Sequence, residues 1–371
     1  MMEILSQQIV DLLNDNKNFA VATILTHKGS TPRTSGSKMI VLKDRTIHGT
    51  IGGGLVEAMV MDGCIDLLKK EKCAIKEFTL DQDLKDGLDM VCGGTLSILI
   101  ETFVQNRDSD SKHGPELKSV SSHGRQSGLA TLFSSLSDLE KKGKKGFLVS
   151  KIQGVSKSDF TMERCLVMPD GKTVGKDILP KSLLGDILDN KFHGPSPVIH
   201  NLNFEEFIIA PIEPMECLFI FGAGHVGYQL ASIAHIADFQ TVVIDDREEF
   251  ANSRRFPYAR KIHAVKHFSN AFDDLEIDNN SYIVILTRGH LHDQSVLENA
   301  LKTSPAYIGM IGSRGKRDTI YANLMKKGVS QNALDTVCSP IGIKIEAQTP
   351  AEIAVSIMGE IIKRKYTKPA C

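Results

Sequence analysis

No two of the seven cysteines in this 371-residue chain are spaced C-x-x-C, which removes a zinc ribbon and a thioredoxin-type dithiol from consideration. Charge of one sign is missing too. Lys plus Arg number 44 and Asp plus Glu 45, so nothing in the overall balance points to nucleic acid or to an anionic membrane surface. No apolar run is long enough to span a bilayer. The start, "MMEILSQQIVDLLNDN", is amphipathic and contains acids; it lacks the basic lead, apolar centre and small-residue cleavage site of a signal peptide. These absences lead us to expect a cytoplasmic protein with its cysteines as free thiols, most of them packing residues.

What is present is a globular composition, 42% apolar and 24% charged, in a chain too long for one core. We expect an α/β fold in three segments: 1–104, then a linker and a degenerate copy of the first segment over 105–214, then a doubly wound parallel sheet over 215–371. The repeat is seen in "NFAVATIL" against "GFLVSKIQ" and "SKMIVLKDRTIHGT" against "ERCLVMPDGKTVGK", each pair flanked by helix-like stretches and closed by an apolar strand. The second copy lacks the glycine-rich stretches of the first, so the first is expected to hold the site. In the third segment "CLFIFGAG", "QTVVIDDR", "SYIVILTRG" and "AYIGMIGS" read as strands buried on both faces. Near the end, Thr349, Pro350 and Glu352 spell a helix start with a capping box.

Residues 222–227, G-A-G-H-V-G, join such a strand to a helix. Gly222 suits the tight turn, Gly224 the approach of a pyrophosphate, Gly227 close helix–strand packing, and His225 opens the helix. Asp245 ends the next strand, where a ribose-binding acid is expected, and Arg247 weakens the resulting preference for NAD over NADP. Arg314, in "IGSRGKR", is a candidate phosphate contact. "TRGHLHD" sets His290, His292 and Asp293 at another strand end, either a metal grip or acid–base pair, or a polar loop.

In the first segment a strand runs into Gly52, Gly53 and Gly54 and then a helix carrying Glu57 in its first turn. Three glycines before a helix can aim several N–H groups at one anion. Arg33 lies in the Gly/Ser/Thr/Pro loop "THKGSTPRTSGSKM" and is its natural anion contact. Cys92, followed by Gly93 and Gly94, stands just before a strand; it is either a packing residue or a site thiol able to hold a soft metal or sulfur.

Taken together, "GSTPRTSGSKMIV", "GTIGGGLVEA", "DMVCGGTLSILIE", "FGAGHVG", "IDDR", "TRGHLHD", "YIGMIGSRGKR" and "SPIGIKIEAQTPAEIAVSI" make the chain resemble the xanthine dehydrogenase accessory factor family, XdhC/CoxI. The resemblance implies a non-catalytic maturation factor. Such a factor carries molybdenum cofactor (molybdopterin), protects it during sulfuration and delivers it to a molybdenum hydroxylase, with a cysteine desulfurase as second partner. Carried onto this chain, it assigns backbone contacts to Gly52, Gly53 and Gly54 and a place near the metal or its sulfur to Cys92, with Arg33 and Glu57 beside them. Leu55 and Cys338 stand where some relatives carry a cysteine and a histidine, respectively. Two other readings remain: an NAD(P)-dependent oxidoreductase using His290 or His292, and a nucleotide-sensing regulator. A homodimer is expected from the number of α/β units.

Overall fold

A computed structural model describes residues 5–29, 31, 33–79, 94–104, 122–192, 194 and 196–367. The chain divides into two compact units that part between Pro214 and Met215.

The first unit contains one supersecondary pattern twice. It begins with α1 (Leu5–Asn14), β1 (Phe19–Lys28), β2 (Lys38–Leu42), β3 (Ile47–Gly49), α2 (Gly54–Lys70), β4 (Ala74–Thr79) and β5 (Thr95–Phe103), then repeats the order as α3 (Ser122–Lys141), β6 (Gly146–Ser156), β7 (Asp159–Val167), β8 (Thr173–Gly175), α4 (Lys181–Leu188), β9 (Val198–Leu202) and β10 (Glu205–Ile212). The two sheets have matching strand orders, β3-β2-β1-β5-β4 and β8-β7-β6-β10-β9, and their pairs are antiparallel. The faint sequence repeat is thus a duplicated fold.

Burial along β1 is unbroken from Phe19 to Leu25 because both faces of the strand are covered. Ala20, Ala22 and Ile24 face Val56, Val60, Cys64 and Leu67 on one stripe of α2. The intervening Phe19 and Val21 pack with Ile9, Leu12 and Leu13 of α1 and with Leu132, Phe133 and Leu136 of α3, in a cluster that also takes in Leu166 and Ile212 of the second sheet. Arg164 of β7 pairs with Glu101 of β5, both largely buried, and so ties the two sheets together. Burial pushes the Arg164 guanidinium down to about 10.

The second unit is β11 (Cys217–Phe221), α5 (His225–Ile236), β12 (Gln240–Asp245), β13 (Lys261–Ala264), β14 (Ser281–Ile285), α6 (His290–Ala300), β15 (Tyr307–Met310), α7 (Arg314–Lys326), α8 (Gln331–Asp335) and α9 (Pro350–Tyr366). Its parallel sheet runs β13-β12-β11-β14-β15. Cys338 adds one further parallel bridge to Gly309 of the edge strand. Leu230 and Ala234 of α5, with Ile357, Met358 and Ile361 of α9, cover one face; Val296 and Leu297 of α6, with Ile320 and Leu324 of α7, cover the other. This is a doubly wound Rossmann sheet, with its switch point between β11 and β14. The expected capping box starts α9. Among the described residues, no helix is long and apolar enough to cross a membrane.

Candidate functional site

Three motifs far apart in sequence leave the first sheet from one end. Thr23 lies opposite Lys38, so the 29–37 loop joins β1 to β2 there. Met39 lies opposite Gly49, which brings the end of β3 and the glycine turn to the same side. Lys28 lies opposite Thr95, so Gly94 enters β5 beside that loop. Cys92 and Gly93 lie outside the described residues. The pairing of β1 with β5 slips between Ile24 and Thr26, a bulge of the kind that re-aims side chains beside sites. Beyond it, His27 Nδ1 accepts from the buried Ser35 backbone N–H at 3.2 Å and lies 2.8 Å from Ser35 Oγ. Arg33 is exposed; its carbonyl accepts from Thr31 Oγ1 at 3.0 Å.

The glycine turn is built as the motif suggested, with φ of 133°, 76° and 62° at Gly52, Gly53 and Gly54. An L side chain adopts such angles only with strain. The anion inside the turn is the chain's own. Glu57 Oε2 accepts from Thr50 Oγ1 at 2.6 Å, from the Gly53 N–H at 3.2 Å and from the Ile51 N–H at 3.3 Å, while the Gly52 N–H donates to Thr50 Oγ1 at 3.1 Å. Among the described residues, a Cβ built at Gly53 or Gly54 meets nothing within 4 Å.

The second copy of the fold separates what the sheet requires from what it does not. Gly49 and Gly175 occupy matching places. A Cβ at Gly49 would lie 2.6 Å from the Lys38 carbonyl oxygen, and one at Gly175 2.5 Å from that of Arg164. Both glycines are therefore demanded by the neighbouring strand. No such demand appears at Gly53 and Gly54, and in the second copy the helix begins after Pro180 instead. The sheet forms equally well without the triple glycine.

In the Rossmann unit the first and third glycines have internal reasons. A Cβ at Gly222 would meet the Leu286 carbonyl oxygen at 2.4 Å, and one at Gly227 the Gly222 carbonyl oxygen at 2.0 Å. Gly224 has neither reason: its φ is −67°, and among the described residues a Cβ there meets nothing within 4 Å. The space lies at the start of α5, where His225 is exposed and N–H groups lack helical partners. Asp245 is buried and already engaged. Its Oδ2 accepts from the Ala223 N–H at 2.6 Å and from Arg247 Nη2 at 3.1 Å; its Oδ1 accepts from the Arg247 N–H at 3.0 Å and Nε at 2.9 Å. Burial pulls this carboxyl's pKa up, but these donors outweigh it and hold the group below its ordinary 3.8.

At the next strand ends, Thr287 and Lys316 both contact the fully buried Asp293 carboxylate, which desolvation nevertheless pushes upward in pKa. His290 is exposed, and His292 lies against the Phe268 ring at 5.3 Å. Among the described residues no group of three His, Cys, Asp or Glu side chains could hold a metal. Arg314 is exposed at the start of α7, whose cap is Ser313 accepting from the Lys316 N–H. Sequence reasoning missed Thr50, the His27–Ser35 pair and Lys316 as partner of Asp293. Hydroxyl and histidine partners of this kind leave no periodic signal.

Two family descriptions match the chain: the XdhC and CoxI family over residues 12–79 and the XdhC Rossmann domain over residues 218–361. The chain belongs to the XdhC and CoxI family. It is 25% identical over 361 residues to a Bacillus subtilis (strain 168) protein, named as a probable xanthine dehydrogenase subunit, with 95% of each chain covered. It is 23% identical over 358 residues to the uncharacterised protein YqeB of Escherichia coli K12, covering 96% of this chain but 46% of YqeB, so it spans about half of that relative. A solved Bacillus halodurans structure described as a xanthine dehydrogenase shares the fold, with a TM-score of 0.72 over 99% of this chain and 98% of that one at 24% identity. The XdhC and CoxI match covers the 29–37 loop and the glycine turn; the XdhC Rossmann match covers Gly222 to Asp293 and Arg314.

Proposed function

We propose that this XdhC-family protein is an accessory factor for a xanthine dehydrogenase-type molybdenum hydroxylase, and that its cargo, molybdenum cofactor, docks at the end of the first sheet. The observation that carries this reading is the glycine turn: three positive-φ glycines, with no described residue within 4 Å of a Cβ at Gly53 or Gly54, in a fold whose second copy dispenses with them. Family membership, and the name of the Bacillus subtilis relative, support the choice of client. The cargo is a pterin bearing a phosphate and a dithiolene-held molybdenum. Backbone N–H groups of the glycine turn, held at present by Glu57 and Thr50, would serve the phosphate once the Glu57 carboxylate gives way, exposed Arg33 adds charge at the same sheet end, and Cys92, two residues before Gly94, supplies a soft sulfur for the metal side. Glu57 shapes the turn. Sulfuration before insertion, with a cysteine desulfurase as sulfur donor, belongs to the same reading, as does a homodimer.

The test is co-elution of molybdenum with the purified protein after incubation with isolated cofactor, followed by activation of a cofactor-free hydroxylase. Wild type is expected to retain and transfer cofactor; Cys92→Ala and Gly53→Val, each checked for native circular dichroism, are expected to lose retention. A wild type that neither retains nor transfers cofactor overturns the proposal.

The Rossmann unit is assigned a dinucleotide, NAD(P), in a regulatory or gating role. The residues fit one: the gap above Gly224 and the start of α5 suit a pyrophosphate, and Arg314 opens α7 near the carboxyl end of β15.

A further inference from the structure

We infer that Arg247 and Arg255 make the Rossmann crevice selective for a dinucleotide carrying a ribose phosphate, NADP rather than NAD; this rests on the dinucleotide part of the proposed function. An NAD-selective crevice needs a carboxylate with free lone pairs at the end of the second strand, to accept from the ribose diol. Asp245 stands at that place and has none to offer. A carboxylate accepts about four hydrogen bonds, and Asp245 already accepts from the Ala223 N–H, the Arg247 N–H and two nitrogens of the Arg247 side chain. A diol could be read there only by displacing a bidentate arginine.

What faces outward is cationic. The Asp245 side chain is 2% exposed and that of Arg247 21%, so a ligand meets the guanidinium before the carboxylate behind it. Arg247 lies flat over Phe250 at 3.8 Å, and Arg255 approaches the same ring at 4.9 Å and Tyr228 at 5.3 Å. Arg255 also donates to the Ala223 carbonyl at 3.2 Å, within the glycine turn itself. Its Nε is buried and has no hydrogen-bond partner among the described residues. Of the other acids about Arg247, Asp246 is matched by Arg288 at 3.3 Å as well as by Arg247 at 3.7 Å, while Glu249 adds its charge beside the same guanidinium. Two guanidiniums held by an aromatic ring beside the turn form a planar, multi-donor surface of the kind that binds phosphate.

Binding of NADPH and NADH to the full-length protein, followed by nicotinamide fluorescence and by calorimetry, tests this without molybdenum or client. Calorimetry with 2′,5′-ADP against 5′-AMP isolates the ribose phosphate. The chain has no tryptophan, so nicotinamide emission is read without indole background. Wild type is expected to prefer NADPH, and 2′,5′-ADP over 5′-AMP, by about tenfold or more. Arg247→Ala frees Asp245 and is expected to move the preference toward NADH; Arg255→Ala, which leaves the Asp245 pair intact, is expected to weaken NADPH and leave NADH unchanged. Equal or tighter NADH binding by wild type, an unchanged ratio in a folded Arg255→Ala, or no binding of either nucleotide at millimolar concentration overturns the inference. Any of these leaves the cargo reading standing, and failed cofactor transfer with selective NADPH binding leaves this one standing.

Discussion

At the scale of single residues, the two glycine motifs divide into positions the fold demands and positions it does not. Gly227→Ala would drive a Cβ into the Gly222 carbonyl, and is expected to lower the melting temperature sharply. Gly224→Ala meets open space at an ordinary φ, and is expected to keep the melting temperature within a degree or two while weakening nucleotide binding at least tenfold, as calorimetry would show. Glu57→Ala strips the acceptor from two backbone N–H groups and the Thr50 hydroxyl; the expected loss is about 1–3 kcal/mol in urea unfolding. Asp245 makes a pH prediction. Its folded pKa lies below the ordinary 3.8, so its stabilisation is complete above that value and drains away as pH falls through the lower folded value. The stability gap between wild type and Asp245→Asn should therefore be full at pH 7 and narrow in acid. Burial pushes the Cys64 and Cys217 thiols up to about 12; iodoacetamide at pH 8 should spare both in the folded protein and reach them after denaturation, as read by mass spectrometry.

At the scale of elements, the buried Glu101–Arg164 pair joins β5 to β7. Glu101→Gln leaves a guanidinium buried without its counter-charge, a loss of about 3–5 kcal/mol that a thermal melt would register. Elements are also where the sequence was easiest to read. The parallel strands of the second unit announce themselves as short runs apolar at every position, because both faces are covered. The cap of α9 is written in Thr349, Pro350 and Glu352. The duplication is visible only as an order of elements, since Ala22 and Val149, or Met39 and Cys165, fill equivalent core places with different side chains. Illegible features were those fixed by tertiary contact: the bulge after Ile24, the Cys338 bridge to Gly309, and the convergence of three loops at one sheet end, which depends on strand order rather than on local pattern. Within the site, Gly52, Gly53, Gly54 and Gly222 were legible because their positive φ strains any L side chain. The engagement of Asp245 was not, because a carboxylate at a strand end looks alike whether free or saturated.

At the scale of the molecule, the chain is two units that part at Pro214 and Met215, each with its own core clusters. Residues 215–371 are thus expected to melt cooperatively when produced alone. In the first unit one copy of a duplicated sheet carries the glycine turn and the other lacks it. That turn has a consequence for turnover. The Ile51 and Gly53 N–H groups are not vacant, since both donate to Glu57. An anion that takes over those donors enters by substitution, and when it leaves the carboxylate returns, so hydrogen bonds lost and made nearly cancel in either direction. For the cargo proposed above, residence time would then be governed by how readily Glu57 competes for its old seat, and a recipient would have to outbid only a small difference to strip the holder of its load.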